Sequence, residues 1–205
     1  YFKISKMAEC TIEDGESPSV EVAGEEGAEY ILAFDPSWSE SEASDDFAMQ
    51  VIKLIPEGKK GVIVHSYALP GTNLKKHMTY FKYVIDHFNI IMVVGDYNGG
   101  VQFMNSCNES DLFKKDKLEI GMFDAGLDNP HDYVKDLKEA RRGYNVSNKT
   151  ICYLRKPTSV WIRNGNEMLQ TAFDRKKLYF AATAMDDNYS IQRAKKIPIK
   201  DLKFS

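Results

Sequence analysis

Several features that mark particular classes of protein are scarce or missing in this sequence. It has only three cysteines, Cys10, Cys107 and Cys152, and their wide spacing supplies neither a disulfide framework nor a thiolate metal site. Such sparse cysteine use is typical of a reducing compartment. No apolar run nears 18 residues and no secretory pattern occurs, so the sequence predicts no membrane span. Because the chain begins at Tyr1 and not at methionine, we expect a piece of a longer soluble protein.

Charge and motif content exclude further classes. The 27 basic and 30 acidic residues give a net charge of -3, which argues against a uniformly basic nucleic-acid coat but leaves room for a local basic face. No GxxxxGK[ST] phosphate-binding loop occurs, so we expect these residues not to hydrolyse ATP. The four histidines have no zinc-type spacing with the cysteines.

The sequence divides into an acidic N-terminal stretch and one domain. Residues 13–29 are acidic and rich in Gly, Ser and Pro, which predicts that residues 1–29 form a linker or N-terminal extension. Residues 30–205 are predicted to form a single domain. Because 43% of the chain is hydrophobic and 12% is aromatic, it can bury a sizeable core.

Apolar runs of strand length alternate with helical patterns along residues 30–205. Three runs with short joints predict antiparallel strands at residues 30–34, 47–55 and 61–69. The later pattern predicts helices at 74–88, 101–110, 129–143 and 161–173, and strands at 89–100, 118–123, 151–154 and 176–184. This is the element order of a ribonuclease-H-like core. The predicted fold is therefore α/β, with three antiparallel strands, then parallel strands, and helices on both faces of a mixed sheet.

Two aspartates close strands that this topology brings together. Asp35 ends the first strand and Asp96 ends the fourth, and parallel neighbours open at the same edge of a sheet. Two converging carboxylates repel one another unless a hard divalent cation, which prefers oxygen ligands, lies between them. Each residue has a plainer interpretation, because an aspartate before proline or before Tyr-Asn-Gly is often a turn former. Trp38, in the loop after Asp35, is expected to cover its own loop more readily than to stack on a base.

Three segments resemble the C-terminal nuclease domain of viral large terminase subunits, the DNA-packaging motors of tailed phages. They are AFDPSWSESEASDDFAMQVIKL, FNIIMVVGDYNGGVQFMNSCNES and SVWIRNGNEMLQTAFDRKKLYFA, and the resemblance spans roughly residues 30–182. It implies a metal-dependent endonuclease that cuts concatemeric viral double-stranded DNA with two Mg²⁺ or Mn²⁺ ions. It also implies an N-terminal ATPase motor domain, a portal and a small terminase subunit as partners, and the host cell cytoplasm, with no membrane, as location.

The resemblance assigns the acids residue by residue. Asp35 matches the first-strand acid, Asp96 the fourth-strand acid, and Asp46 an acidic position near the metals. A third acid comes from an Asp-Asp pair, for which Asp186 and Asp187 are candidates, and we favour Asp187 as catalytic residue and metal ligand. Two alternatives stand: the pair is only a helix cap, or the third acid lies beyond Ser205.

Basic residues give candidate contacts to the DNA backbone. The weak predictions for DNA contacts are Arg141 and Arg142, on a predicted helix, and Lys176 and Lys177, at the start of the predicted last strand. A solvated helix face is the more common role for such an arginine pair.

Three rival functions remain open at this stage. They are another ribonuclease-H-like nuclease of the resolvase or transposase type, an actin-like or sugar-kinase-type nucleotide-binding fold, and a catalytically silent docking module. The kinase-type fold expects glycines after the first acid, where this chain has Pro36, Ser37 and Trp38.

Overall fold

A computed structural model describes residues 4–12, 16, 18, 20–38, 46–70, 73–115, 118–122, 151–156 and 158–181. The first half of this region contains α1 (Ile4–Glu9), β1 (Glu29–Asp35), β2 (Asp46–Ile55), β3 (Lys60–Pro70), α2 (Leu74–His87) and β4 (Ile90–Asp96). The second half contains α3 (Tyr97–Glu109), a 3-10 turn (Asp111–Phe113), β5 (Glu119–Met122), β6 (Ile151–Arg155), α4 (Ser159–Asp174) and β7 (Leu178–Phe180). The predicted helix at 129–143 lies outside the described residues.

Side-chain caps and one glycine turn set several of these boundaries. The Asn73 side chain accepts a hydrogen bond from the Lys76 backbone at the start of α2. The Thr158 hydroxyl does the same for Trp161 at the start of α4. Such caps satisfy backbone N–H groups that have no partner within the helix. Gly58, with φ 78°, closes the turn between β2 and β3 in a conformation that favours glycine.

The strands form one seven-stranded mixed sheet in the order β5-β6-β4-β1-β2-β3-β7. β1, β2 and β3 pair antiparallel, and β4 pairs parallel with β1, as the sequence predicts. β6 adds parallel to β4, β5 parallel to β6, and β7 parallel to β3. The predicted α/β class, with a mixed sheet flanked by helices, is therefore confirmed.

The main core lies between the sheet and helices α2 and α3, on what we call the α2–α3 face. Phe34 of β1 contacts Phe81 of α2 and Phe103 of α3, with ring centroids 5.8 and 5.7 Å apart. Burial of each such side chain contributes about 1.5–3 kcal/mol to the free energy of folding. Alternate residues of β1, Tyr30, Leu32 and Phe34, are buried in this cluster, so the intervening residues point to the opposite face.

The opposite side of the sheet, the α4 face, carries a smaller cluster near β3 and β7. Ile63 points there, between the neighbours Val62 and Val64 that belong to the main core. It packs with Phe173 of α4, Phe180 of β7 and Cys10. Helices therefore lie on both faces of the sheet.

All three cysteines are buried thiols without a disulfide bond. Cys107 and Cys152 belong to the main core, whereas Cys10 lies in the smaller cluster and donates a hydrogen bond from Sγ to the Phe173 carbonyl at 3.3 Å. Burial raises the pKa of Cys107 to about 12 and raises the pKa of Cys152 and Cys10 as well. The thiols are thus held protonated in the fold at neutral pH.

The described parts of residues 1–29 pack on the domain. The Phe180 N–H of β7 donates to the Cys10 carbonyl at 2.9 Å, and the Ile12 N–H donates to the Phe180 carbonyl at 2.8 Å. Further along, the Glu21 N–H donates to Val64 and the Gly24 N–H to His87, both at 2.9 Å. These contacts of Glu21 and Gly24 lie towards the end of the sheet where β1 begins.

A buried ion pair joins this N-terminal stretch to the sheet. The Lys53 ammonium of β2 lies 2.8 Å from Glu21 Oε1 and 2.7 Å from Glu25 Oε2. Lys53 and Glu21 are only 6% and 8% exposed. The hydroxyl of Tyr30, which is fully buried, donates to Glu21 Oε2 at 2.7 Å, and His65 Nδ1 lies 2.7 Å from the Glu21 carbonyl. Residues 20–28 are therefore tied to the domain by a polar network.

No helix among the residues given above is both long and apolar enough to cross a membrane.

Candidate functional site

Asp35 and Asp96 end neighbouring parallel strands at one edge of the sheet, as predicted. The last paired residues of β1 and β4 are Phe34 and Gly95, and the two aspartates follow them directly. Asp35 is exposed and Asp96 is half-buried, so both carboxylates lie where solvent reaches them. We call this edge, at the C-terminal ends of β1 and β4, the acid edge.

Both aspartates point to the α4 face. Phe34 contacts α2 and α3, and a Cβ on Gly95 would meet the Phe34 ring at 2.4 Å, so this pair faces the main core. Successive residues of a strand point to opposite faces. Asp35 and Asp96 therefore project together on the side away from α2 and α3.

Asp46 belongs to the same edge and the same face. It starts β2, where it pairs with Pro70 at the end of β3. Its neighbour Phe47 is buried in the main core, and Ala48, which pairs with Asp35, points the other way. Asp46 lies two residues beyond Ala48 and so shares its face. Three predicted acids thus lie on adjacent strands β2, β1 and β4.

Asp96 also acts as a turn former, which is the plainer interpretation of its position before Tyr-Asn-Gly. Its Oδ1 accepts a hydrogen bond from the Asn98 N–H at 2.6 Å and caps α3. A carboxylate has two oxygens with about four lone-pair sites, so one backbone bond leaves capacity for another ligand. The cap orients the carboxylate while its other oxygen stays outside that bond.

The loops carrying the two acids lock together through Trp38 and Gly99. Gly99 has φ 84°, and a Cβ there would lie 2.3 Å from Trp38 Nε1 and 3.3 Å from Pro36 Cγ. Trp38 also packs against the main core, which fits its predicted role as a cover for its own loop. Its buried indole N–H finds no hydrogen-bond partner in the described part of the chain. A glycine is therefore required at position 99 both by backbone conformation and by the indole.

Arg155 is a residue of this edge that the sequence analysis missed. It ends β6 in register with Asp96 and is 5% exposed. Its predecessor Leu154 is in the main core, so Arg155 points to the α4 face, and its guanidinium carbon lies 5.8 Å from the Trp161 ring centroid of α4. A buried cation thus accompanies the acids on the next strand. Its position directly after the apolar run ICYL could have marked Arg155 as a residue at the end of a strand. Only the β4–β6 pairing, however, shows that it is a neighbour of Asp96.

An open groove of about 620 Å³ starts beside the acid edge and follows α3. Its lining is about equally polar and apolar, carries little charge and includes Tyr97, Asn98, Gln102, Asn105 and Ser106, with Glu109 at the far end. Amide and hydroxyl groups of this kind donate to and accept from sugars and base edges.

The chemistry of the acid edge fits a hard divalent cation, since its donors are carboxylate oxygens. Within the described ranges, however, no group of three or more His, Cys, Asp and Glu side chains gathers as a metal site. The third predicted acid, Asp187, and its neighbour Asp186 lie outside those ranges, as do Arg141 and Arg142. The described residues therefore supply a partial ligand set.

Lys176 and Lys177 lie at the other end of the sheet. Lys176 adopts a left-handed conformation with φ 49° just after α4, and Lys177 Nζ donates to the Gly58 carbonyl at 2.5 Å. Gly58 is in the turn between β2 and β3, at the opposite end of β2 from Asp46. These lysines are thus separate from the acid edge.

Comparisons with known proteins add no assignment. No protein-family model matches the chain, and a search of curated proteins finds no significant relative.

Proposed function

We propose that the chain is a metal-dependent endonuclease with a ribonuclease-H-like fold, the nuclease domain of a viral DNA-packaging terminase large subunit. The observation that carries this proposal is the parallel pairing of β1 with β4, which sets Asp35 and Asp96 side by side on one face. The strand order β3-β2-β1-β4-β6 agrees with it, since the first strand is central and the fourth adds parallel beside it.

The proposed site has its roles divided among adjacent strands. Asp35 and Asp96 hold the cations, Asp46 adds a carboxylate on β2, and Asp187 is the proposed third acid. Two Mg²⁺ or Mn²⁺ ions bound there would activate the attacking water and stabilise the leaving oxygen of a phosphodiester. Arg155, next to Asp96, supplies fixed positive charge on the same face, where a scissile phosphate would lie.

The substrate proposed is concatemeric double-stranded viral DNA, and the partners are the ATPase motor domain, the portal and the small terminase subunit. The sequence resemblance supports this packaging role, and the acid edge supports nuclease chemistry in general. A resolvase-type or transposase-type nuclease would use the same acid edge. Preference for substrate separates the two: a packaging nuclease should cut linear duplex at least as well as a four-way junction, and a resolvase should prefer the junction.

The kinase-type alternative is less well supported by the loop after β1. Phosphate binding there requires backbone N–H groups open to the ligand. In this chain Pro36 lacks that N–H, and Trp38 packs against Gly99.

The test is plasmid nicking with Mn²⁺, Mg²⁺ or EDTA. The wild type should nick with metal and not with EDTA, and both Asp35→Asn and Asp96→Asn should lose at least about a hundredfold, because metal-mediated charge stabilisation is worth several kcal/mol. Asp111→Asn is the matched control, since Asp111 is an exposed aspartate paired with Lys114 away from the edge. Cleavage that persists in Asp35→Asn, or ATP binding without any nicking, would contradict the proposal.

A further inference from the structure

Five cations of two separate turns converge at the end of the sheet opposite the acid edge. One turn joins β2 to β3 and the other joins α4 to β7. Two exposed acids, Glu57 and Asp174, adjoin these cations, so the two turns by themselves have a net charge of +3 in a chain whose net charge is -3. Glu29, which pairs with Leu54, adds an acid at the same end of the sheet. We call the five cations the basic patch: Lys59, Lys60, Arg175, Lys176 and Lys177, all exposed.

Hydrogen bonds hold the two turns of the basic patch against one another. The Gly61 N–H donates to the Lys177 carbonyl at 2.8 Å, and Lys177 Nζ donates to the Gly58 carbonyl at 2.5 Å. Pairing of Gly61 with Leu178 continues this contact into the sheet. An ammonium has three protons, so the bond to Gly58 leaves Lys177 able to bind an anion.

The backbone within each turn is also fixed. Lys59 and Lys176 both have positive φ, 51° and 49°, and their N–H groups donate to Pro56 and Phe173 at 3.1 and 3.0 Å. Lys60 Nζ lies 5.2 Å from the ring centroid of Tyr179. Cations on ordered backbone lose less conformational freedom on binding than those on a mobile tail.

Helix α4 connects the two ends of the sheet. It starts at Ser159, shortly after Arg155 at the acid edge, and ends at Asp174, beside the basic patch. The separation of the two ends follows from β2, whose 10 residues run from Asp46 at the acid edge to Ile55 beside the basic patch and span about 30 Å at about 3.3 Å per residue. Duplex DNA rises about 3.4 Å per base pair, so roughly nine base pairs cover this distance.

We propose that the basic patch binds the phosphate backbone of duplex DNA about nine base pairs from the acid edge. This inference rests on the proposed function, which supplies duplex DNA as the ligand. The patch contacts phosphates and reads no bases, so its contribution is the same for every sequence. Its charge is matched to a polyanion of closely spaced phosphates.

The test measures binding of a fluorescein-labelled 30-base-pair duplex by anisotropy, in EDTA so that no cleavage occurs. The patch variant is Lys59→Asn, Arg175→Gln and Lys176→Asn, since asparagine tolerates positive φ and none of these side chains makes a contact described above. The control, Lys75→Gln, Lys76→Gln and Lys115→Gln, removes the same charge from exposed lysines of α2 and the segment after α3. Thermal melts of both variants confirm that each is folded.

The patch variant should bind at least about tenfold more weakly than the control at 0.1 M salt. The slope of log K against log salt should fall by about 3, because each lost phosphate contact removes about 0.9. Equal affinity and slope for patch variant and control would overturn the proposal. Poly-L-glutamate should compete less well than unlabelled duplex at equal charge concentration. Equal competition by poly-L-glutamate and duplex would instead favour an acidic protein as the ligand and would overturn the proposal that the patch binds DNA.

The same samples separate this proposal from the proposed function. If the wild type binds duplex through the patch but does not nick plasmid with Mn²⁺, the endonuclease proposal fails and the patch proposal stands. If the wild type nicks plasmid while the patch variant binds like its control, the patch proposal fails and the endonuclease proposal stands.

Discussion

The buried pair Lys53–Glu21 allows a quantitative prediction about stability. Replacing Lys53 by methionine keeps the apolar stem but removes the ammonium, which leaves the Glu21 carboxylate buried with the Tyr30 hydroxyl as its remaining side-chain donor. Breaking a buried ion pair from one side costs about 3–5 kcal/mol of unfolding free energy. For a domain of this size that corresponds to a fall in Tm of roughly 6–20 °C.

Glu21→Gln should cost less than Lys53→Met, since Lys53 retains Glu25 at 2.7 Å. Glu25 is 61% exposed, so water screens that contact and it replaces only part of the lost interaction. We expect Glu21→Gln to lower the unfolding free energy by about 2–3 kcal/mol. The double variant should be more stable than the sum of the single losses predicts, because it leaves no unpaired buried charge.

The assay is equilibrium urea unfolding of wild type, both single variants and the double variant. A coupling energy of at least about 2 kcal/mol between Lys53 and Glu21 is expected from the cycle. Glu-C protease gives a local readout, because it should cut residues 20–29 faster in Lys53→Met than in wild type. Lys82→Met is the control, since its partner Asp86 is 44% exposed. Strictly additive losses, or a loss below 1 kcal/mol for Lys53→Met, would refute the reasoning.

Three further predictions concern Tyr30, Gly99 and Arg155. Burial and the bond to Glu21 raise the pKa of Tyr30 to about 12 from 10.0, so its stabilising contribution is fully present below pH 10 and is lost as pH rises to about 12. Alkaline unfolding followed by circular dichroism should therefore be less steep in Tyr30→Phe over that window, and an unchanged slope would contradict the assignment. Gly99→Ala should lose about 2–4 kcal/mol in urea unfolding through positive φ and contact with Trp38, whereas Gly165→Ala, with open space around its Cβ in α4, should gain up to about 1 kcal/mol; equal effects at the two glycines would be evidence against the Trp38 contact. Arg155→Gln should lower kcat of plasmid nicking more than it raises KM, and Arg155→Lys should not restore it, because lysine cannot reproduce the planar guanidinium; wild-type kinetics in Arg155→Gln would exclude a role at the acid edge.

Most of the fold follows from local patterns in the sequence. The alternation of Tyr30, Leu32 and Phe34 predicts a strand with one buried face, and the turn between β2 and β3 predicts their antiparallel pairing. The parallel direction of β4 and β1 follows because the connection from β3 to β4 crosses over through helix α2. Asp35 and Asp96 could be predicted together for this reason.

The remaining features depend on contacts between residues distant in sequence. Arg155 becomes a neighbour of Asp96 only because β6 pairs with β4 ahead of β5, an order that no local pattern fixes. Residues 20–28 read as a linker by composition, yet Glu21 finds a buried lysine 32 positions later. Long-range pairing and burial of charge are the two properties that single-sequence patterns describe least well.

The three buried cysteines allow local unfolding of the chain to be followed by thiol alkylation. Cys10 lies in the small cluster with Phe173 and Phe180, whereas Cys107 and Cys152 lie in the main core. An alkylating reagent can react only with a thiolate that reaches solvent, so each cysteine reports the opening of its own cluster. Mass spectrometry after pulsed alkylation would then show, without any mutation, whether α1, α4 and β7 separate from the domain before the rest of the sheet unfolds.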